Sequence, residues 1–580
     1  MVEQNGFLRN LFMGDVLEEQ IFPFPRFQEE EQEVIEMIAD SLESFSKEVD
    51  SDKIDKDEKL PPELLEKMKA MDLFGLSIPE ENGGVGLSVS GYVYVLQHLA
   101  LLGSAVAATV GGHHSIGMKG LMLFGNEAQK ERYLSKLASG EMIAAFCLTE
   151  PNAGSDAAGI VTRAELNEEK THYILNGAKM WITNGGLADF YTVFAKTPVT
   201  VDGETKDKVT AFIVTRDLEG VSNGPEEQKM GWKGSSTCMV NFDKVQVPVE
   251  NVLGEVGKGF KVAMEILNNG RLGTSPASFG VAKKMIDMSI KYANERKQFG
   301  QHIGQFSLVK EKIARMSMLA YGMQCVGYLT SGMKDAGVDD FSIETAVAKV
   351  FSTEAVWEVC HEAMQVHGGM GYSRELGIER FMRDARLGLI IEGTSEILRA
   401  MIALEGLKGL GKFLSKTGIK GYAQKSFSQA KMSKAHDVLE KEAQLFCKGV
   451  DKLNAYAMQL LRTYKKKVIM KQHHQKRVAD TVIDLYVMAA MLSRTTALLE
   501  TGKTKDEALT EVYLTRSFCR MAYDRIEKNM SEFELNHDYY IDRLADKLCE
   551  DGGFLPDILD LGTQEELAAR EANSKTAVTA

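Results

Sequence analysis

The chain has 580 residues, with 68 Lys and Arg against 82 Asp and Glu, for a formal charge of −14. That length carries several domains, and the acidic balance excludes a general nucleic-acid binder. Only 11 prolines, among many Ala, Leu, Met, Glu and Lys, point to a largely helical protein.

Seven cysteines are scattered without a C-x-x-C pair, which excludes the usual zinc and dithiol spacings and suits a reducing compartment. The pairs His113-His114 and His473-His474 lack further ligands at helix spacing and read as surface or core histidines. Met1-Val2-Glu3-Gln4-Asn5 has neither a signal-peptide core nor the Arg-rich character of a transit peptide. No run of eighteen apolar residues occurs, and a cytoplasmic location is expected.

Residues 28–145 read as an N-terminal helical domain. Val34, Ile35, Ile38, Leu42 and Phe45 fall on one face of its first long helix, and Pro61-Pro62 opens another. The glycine-rich stretch 80–88 is a loop, not a phosphate loop, because no Gly-Lys-Ser/Thr follows. Residues 146–256 read as a middle β domain. There Thr171–Leu175, Asn176-Gly177 and Ala178–Ile182 predict a hairpin, and Tyr191–Ala195, Val209–Val214 and Met239–Phe242 further strands. Helical periodicity returns over 257–407. The Gly-, Lys- and Ser-rich stretch 408–434 reads as a linker, and 435–562 as a C-terminal helical domain. The polar tail after Gly562 is expected to fray.

Four segments concentrate chemistry. Cys147–Asp156 enters the β domain with Thr149, Gly154 and Ser155 on a loop that could hold a diphosphate or a ring carbonyl, though such a loop is more often an ordinary turn. Trp181-Ile182-Thr183 places an indole and a hydroxyl before a Gly-Gly turn. Gln365–Tyr372 has three glycines in four residues, where a ligand can touch main chain or two helices simply turn. In Ile391–Arg399, Glu392 precedes Gly393-Thr394-Ser395 at a helix start, with Glu396 in the first turn. A carboxylate beside free N–H groups suits removal of a proton next to a carbonyl, and equally suits plain capping.

Together these segments resemble the acyl-CoA dehydrogenase family, with one signature matched over Cys147–Gly159 and a second from Gln365 to Asp384. The likeness runs in register from about residue 30 to 408. The C-terminal extension and Leu267–Arg271 look most like the very-long-chain branch. The fold this implies is mainly α with a central β domain: a helical N-terminal domain, a β-barrel middle domain and a four-helix-bundle domain, plus an additional C-terminal helical domain.

The resemblance implies FAD as cofactor and dehydrogenation of a long-chain acyl-CoA to the trans-2-enoyl-CoA. Glu392 would be the α-proton base, a hydride would go to N5 of FAD, and an electron-transfer flavoprotein would receive the electrons. Phe146, Leu148, Thr149, Gly154, Ser155, Trp181, Ile182 and Thr183 would hold the flavin. Gln365, Gly368 and Gly369 would contact its adenosine side, and Thr394 and Glu396 its diphosphate. Arg296 and Gln298 would reach the FAD of a neighbouring subunit. Ser155, Thr197, Asn268, Arg271 and Gly393 match substrate-side positions. Some members place the base immediately before the position of Arg271; Gly270 stands there, leaving Glu392. Ala107 and Gly111, one helical turn apart, would leave a deep acyl slot or else allow close helix packing. A homodimer is implied. The basic stretch Arg462–Lys467 with Lys471, Lys476 and Arg477 reads as a solvated face or, by likeness to some very-long-chain members, as a peripheral membrane contact. An acyl-CoA oxidase and a non-catalytic assembly protein on the same fold are the alternatives.

Overall fold

The computed structural model describes residues 6–426, 429–554 and 562–569. The chain divides into two compact units, residues 1–530 and 531–580. In the first, helices run from Glu29–Ser46 to Glu127–Ala138. Ile35, Leu42 and Phe45 of the Glu29–Ser46 helix are buried, so its apolar stripe faces inward as the spacing predicts, whereas Val34 and Ile38 lie half-buried at its margin.

The β domain comprises β1 (Ala144–Cys147), β2 (Arg163–Leu166), β3 (His172–Thr183), β4 (Phe190–Val201), β5 (Glu204–Thr215), β6 (Val221–Glu226), β7 (Thr237–Pro248) and β8 (Val252–Leu253). Their order in the sheet is β6-β7-β3-β2-β4-β5-β8, with β1 parallel to β4. One face buries Tyr173, Leu175, Tyr191, Val193, Phe212 and Val245. The other packs Phe190, Phe194, Ala211 and Ile213 on helical residues such as Leu134, Leu137, Val262 and Ile266. Burial on both faces explains the continuously buried, mostly apolar run Val209–Val214 in β5.

The predicted hairpin at Asn176-Gly177 does not form. β3 is one continuous strand antiparallel to both β2 and β7, and its register with β7 shifts between Leu175 and Gly177. The Asn176 side chain accepts a hydrogen bond from the Lys244 N–H across this bulge. A side chain at Gly177 would strike Thr162. Asn-Gly here serves a bulge with a neighbouring strand close by rather than a turn.

After the β domain come the helices Gly259–Gly270, Thr274–Glu295, Ser307–Asp335, Ser342–His367, Ile378–Gly388 and Ser395–Ser426. The stretch read as a linker is therefore helical as far as Ser426, broken only by non-helical backbone at Gly418. Leu407, Leu410 and Leu414 are buried at helical spacing, and that apolar face outweighs the glycines between them. Of the linker residues, 427–428 lie outside the description. Helices Glu440–Tyr464, Gln472–Leu499 and Leu509–Ser531 follow. Gln472–Leu499 is long and apolar enough to cross a membrane, but most of it is buried against protein.

An arm preceding residue 28, for which the sequence offered no reading, is built into this unit. Phe7, Leu8, Leu11 and Phe12 are fully buried. The Leu8 N–H donates to the Glu344 carboxylate at 2.8 Å and Asn454 Nδ2 to the Phe12 carbonyl at 2.8 Å. Arg9 pairs with Asp340 at 2.7 Å, and Ser493 donates to the Ile21 carbonyl. A side chain at Gly406 would overlap the Phe12 ring.

The second unit contains the helix Asp538–Asp551, and residues 564–569 are helical rather than frayed. The rest of the tail, and Met1–Asn5 on which the targeting expectation rests, lie outside the described residues.

Candidate active site

The loop after β1 is held from beneath. Lys179, at an inward-facing position of β3, reaches the Glu150 carboxylate at 2.7 Å and the Leu148 carbonyl at 3.1 Å. Glu150 also accepts from the Val161 and Thr162 N–H groups at 2.6 and 3.1 Å. Burial pushes the Glu150 pKa up, but these hydrogen bonds outweigh it and hold the carboxyl below its ordinary value. The Thr149 carbonyl accepts from the Met180 N–H at 2.9 Å, so this loop and the end of β3 form one surface.

At that end Trp181 has φ 60°, where the register between β3 and β7 shifts again, and the residue is 52% exposed. Leu148 and Ile182 are buried behind it, and Phe146 lies edge-on to Phe194 at 5.1 Å. Gly154 and Ser155 are exposed, and a side chain at Gly154 would meet nothing within 4 Å. An exposed indole beside backbone that a ligand could approach fits a large planar group with a polar tail, as FAD is.

A short π-helical segment, Gly112–Gly117, ties this surface to the Glu392 carboxylate. A Cβ at Gly112 would stand 3.0 Å from Thr183 Cγ2, so the segment sits tightly against β3 at this glycine. Three residues on, Ser115 and Ile116 pack on Gly270; a Cβ there would be 3.5 Å from Glu392 Oε1. Position 270 thus adjoins Glu392.

Glu392 lies on the turn before the Ser395–Ser426 helix and has φ 55°, rare for a residue with a side chain and costing about 1–2 kcal/mol. Gly393 follows at φ 97°. Arg271, 5% exposed, donates from Nε to the Glu392 carbonyl at 3.2 Å and from a terminal nitrogen to Asn268 Oδ1 at 2.9 Å. The Gly393 carbonyl accepts from Lys349 Nζ at 2.9 Å. Thr394 is the N-cap, its hydroxyl 3.4 Å from the Ile397 N–H. Glu396 is exposed in the first turn. Ser395 is not a cap: it is buried as the first helical residue, its hydroxyl without a partner among the described residues.

The Glu392 carboxylate is buried, and Oε2 has no hydrogen-bond partner among the described residues. Desolvation raises its pKa, with Arg271 and Lys349 opposing. The Tyr92 hydroxyl, from the Val89–Leu102 helix, is also buried without a partner, and burial first and the Glu392 charge second push its pKa up. Ala107 and Gly111 are half-buried on one face of the Ser104–Gly111 helix. A Cβ at Gly111 would lie 3.8 Å from Leu96 Cδ2.

A second group is exposed at the ends of two helices. Arg296 and Gln298 stand on a small hairpin after the Thr274–Glu295 helix, and Gln365, Gly368 and Gly369 end the Ser342–His367 helix. Tyr292 and His367 stack at 4.6 Å between the two ends. Nothing lies within 4 Å of a Cβ built at Gly368 or Gly369. Thr197 stands apart from both groups. It is 1% exposed, with its hydroxyl bonded to Thr210 at 2.6 Å and to the Lys208 carbonyl at 3.2 Å inside the sheet. That hydroxyl is engaged within the sheet.

Residues Arg380–Arg386 are mostly structural. Arg383 binds Asp55 and Glu379, and Asp384 accepts from the Trp232 N–H at 2.6 Å. The motif reading passed over Lys179 and Lys349. Each is a lysine at an inward position of an otherwise apolar run, which is the signal that marks a buried, paired cation. No cluster of potential metal ligands occurs among the described residues.

Comparison with known proteins agrees with this arrangement. Residues 28–141, 145–245 and 257–407 match the N-terminal, middle and C-terminal domains of acyl-CoA dehydrogenases, and 437–554 match the ACAD9/ACADV C-terminal domain. The human very long-chain specific acyl-CoA dehydrogenase, a mitochondrial protein, is 41% identical over 92% of this chain and 85% of its own length. A probable acyl-CoA dehydrogenase of Bacillus subtilis is 38% identical over 81% of each. Among solved structures, an acyl-CoA dehydrogenase complexed with FAD from Bacillus anthracis superposes with a TM-score of 0.79. It is 33% identical, over 92% of this chain and 94% of that one.

The chain belongs to the acyl-CoA dehydrogenase family. It is an FAD-dependent acyl-CoA dehydrogenase that carries the additional C-terminal helical domain of the very-long-chain type.

Proposed function

We propose that the protein oxidises long-chain acyl-CoA to the trans-2-enoyl-CoA in fatty acid β-oxidation, with Glu392 as the α-proton base. The observation that carries this reading is the buried Glu392 carboxylate with an unpartnered oxygen. Desolvation makes it a stronger base than an exposed carboxylate. Arg271 fixes its backbone, and the Glu392 N–H is the chain's own donor for the thioester carbonyl as enolate character develops. Exclusion of water strengthens that hydrogen bond. FAD, when bound, supplies the acceptor for the β-hydride. Thr149, Gly154, Ser155, Trp181 and Thr183 would hold its ring and diphosphate.

Long chains are favoured by the small residues Ala107 and Gly111 and by the relatives named for very long chains. The hairpin of Arg296 and Gln298, with Phe299 93% exposed, supports a homodimer in which it reaches a neighbouring subunit. An electron-transfer flavoprotein is the proposed acceptor, and the cytoplasm the proposed location. Ile469 and Met470, exposed beside Lys465, Lys466 and Lys467, support peripheral contact with an anionic membrane. Arg477 does not join that patch, being 9% exposed.

Anaerobic titration of the FAD-loaded protein with acyl-CoAs of four to twenty carbons tests the reading. Flavin bleaching should be strongest with long chains and vanish in Glu392→Gln, which should still bind FAD. Bleaching by that variant at the normal rate would overturn the base assignment. Rapid peroxide formation without an acceptor would replace the dehydrogenase with an oxidase.

A further inference from the structure

Lys349 lies in mid-helix between Ala348 and Val350, and none of it is exposed. An ammonium in such a place is costly unless it is paired and hydrogen-bonded. Its Nζ donates to the Gly393 carbonyl at 2.9 Å. Burial lowers its pKa to about 8, with the Glu392 charge opposing that fall most strongly.

The partner it chooses is informative. Glu392 and Gly393 are consecutive residues at positive φ, and their two carbonyls are held by two buried cations from different elements. Arg271, in the short turn after the Gly259–Gly270 helix, holds the first, and Lys349, from the Ser342–His367 helix, holds the second. Reversal of either φ would swing a carbonyl away from its cation. The clasp therefore opposes relaxation of Glu392 into ordinary backbone, which would re-aim its side chain.

We propose that Lys349 is a positioning residue for the reaction, fixing the Glu392–Gly393 turn through the Gly393 carbonyl beside the base. This rests on Glu392 being the base. The charged and titratable groups facing Glu392 are Arg271, Lys349 and the Tyr92 hydroxyl; those facing Lys349 are Glu392, Arg271, Glu354 and Glu396. Removal of the Lys349 charge thus leaves Arg271 to oppose desolvation among the described residues, which raises the carboxyl pKa.

The test compares the FAD-loaded full chain with Lys349→Met and Lys349→Gln. The readings are bound FAD, thermal midpoint, deuterium uptake at the acyl α-carbon in D2O, and the limiting anaerobic bleaching rate by palmitoyl-CoA from pH 5.5 to 9. Lys349→Met should retain FAD and a KM within about twofold. Its α-exchange and limiting rate should fall about 10- to 100-fold, the scale of a misplaced catalytic group, and the acid limb of its pH profile should move upward. Lys349→Gln, a donor without charge, should recover rate but keep the displaced limb. A Lys349→Met limiting rate within threefold of wild type with an unmoved limb overturns the proposal. If that variant fails to hold FAD, an unmoved limb in Lys349→Gln overturns it equally. Glu392→Gln measured alongside separates the two ideas: normal bleaching there removes the base assignment, whereas a dead Glu392→Gln with a wild-type Lys349→Met removes only the role of Lys349.

Discussion

The ammonium of Lys179 and the carboxylate of Glu150 meet at 2.7 Å with their side chains 0% and 2% exposed. The pair lies directly under the loop of Thr149, Gly154 and Ser155, to which Lys179 also binds through the Leu148 carbonyl. Removing one member leaves a buried charge uncompensated, at about 3–5 kcal/mol. Lys179→Met should therefore lower stability by about that amount in urea unfolding and weaken FAD retention on gel filtration. Loss of neither would show that the loop is held by other means. The Glu150 pKa is depressed in the native state, so its contribution is present above the unfolded carboxylate value and disappears as pH falls through the native one. The destabilisation in Lys179→Met should shrink under acid conditions.

The proposed role of Glu392 as base should be visible in a pH profile. Burial raises the Glu392 pKa, so the limiting bleaching rate should fall on acidification through a value above that of a free carboxylate. The same shift bears on stability with the opposite sense to Glu150. A carboxyl whose native pKa is raised favours the fold most at pH below its unfolded pKa, and this advantage is lost as pH rises through the native pKa. Glu392→Gln should accordingly raise the thermal midpoint at pH 8 and not at pH 4. An unchanged midpoint at pH 8 would mean that the buried carboxylate carries no strain.

Gly111 offers a test of the acyl slot. A methyl there meets Leu96 at an ordinary 3.8 Å, so Gly111→Ala should fold and, as a helical Gly-to-Ala change, gain about 0.5–1 kcal/mol. Gly111→Glu should shift preference towards shorter acyl chains. An unchanged chain-length profile would mean that the slot runs elsewhere.

Glu344 makes the docking of the N-terminal arm depend on pH. Desolvation raises its pKa to about 7, so docking is strongest below the free carboxylate value and weakens as pH rises through about 7. Cleavage of the arm in limited proteolysis should be faster at pH 8.5 than at pH 6. In Glu344→Gln, which keeps an acceptor for the Leu8 N–H, that difference should vanish. A difference that persists would assign the pH response to another group.

Periodic and strongly spaced elements were legible in the sequence: the inward stripe of the Glu29–Ser46 helix, the apolar run Val209–Val214 and the turn carrying Glu392. Features that depend on a partner distant in sequence were not. Asn176-Gly177 carries the local chemistry of a hairpin, but pairing of β3 with both β2 and β7 converts it to a bulge. The glycines of 408–426 suggest a linker, yet three buried leucines keep that stretch helical. For the site, candidate ligand-contacting residues could be proposed from their motifs. The groups that hold those residues in place, Lys179 and Lys349, become recognisable only when strand and helix faces are known.

The arm also constrains the order in which the molecule can be assembled. Residues 6–22 are the first described part of the chain to be synthesised, yet their seats are Glu344, Gly406, Asn454 and Ser493. Leu8 and Phe12 therefore lack these seats until residues as far along the chain as Asn454 have left the ribosome. Contacts of such long sequence separation form late and slowly. Closure of the arm is then a late step of maturation, and a nascent chain awaiting it presents an apolar segment for chaperones to shield.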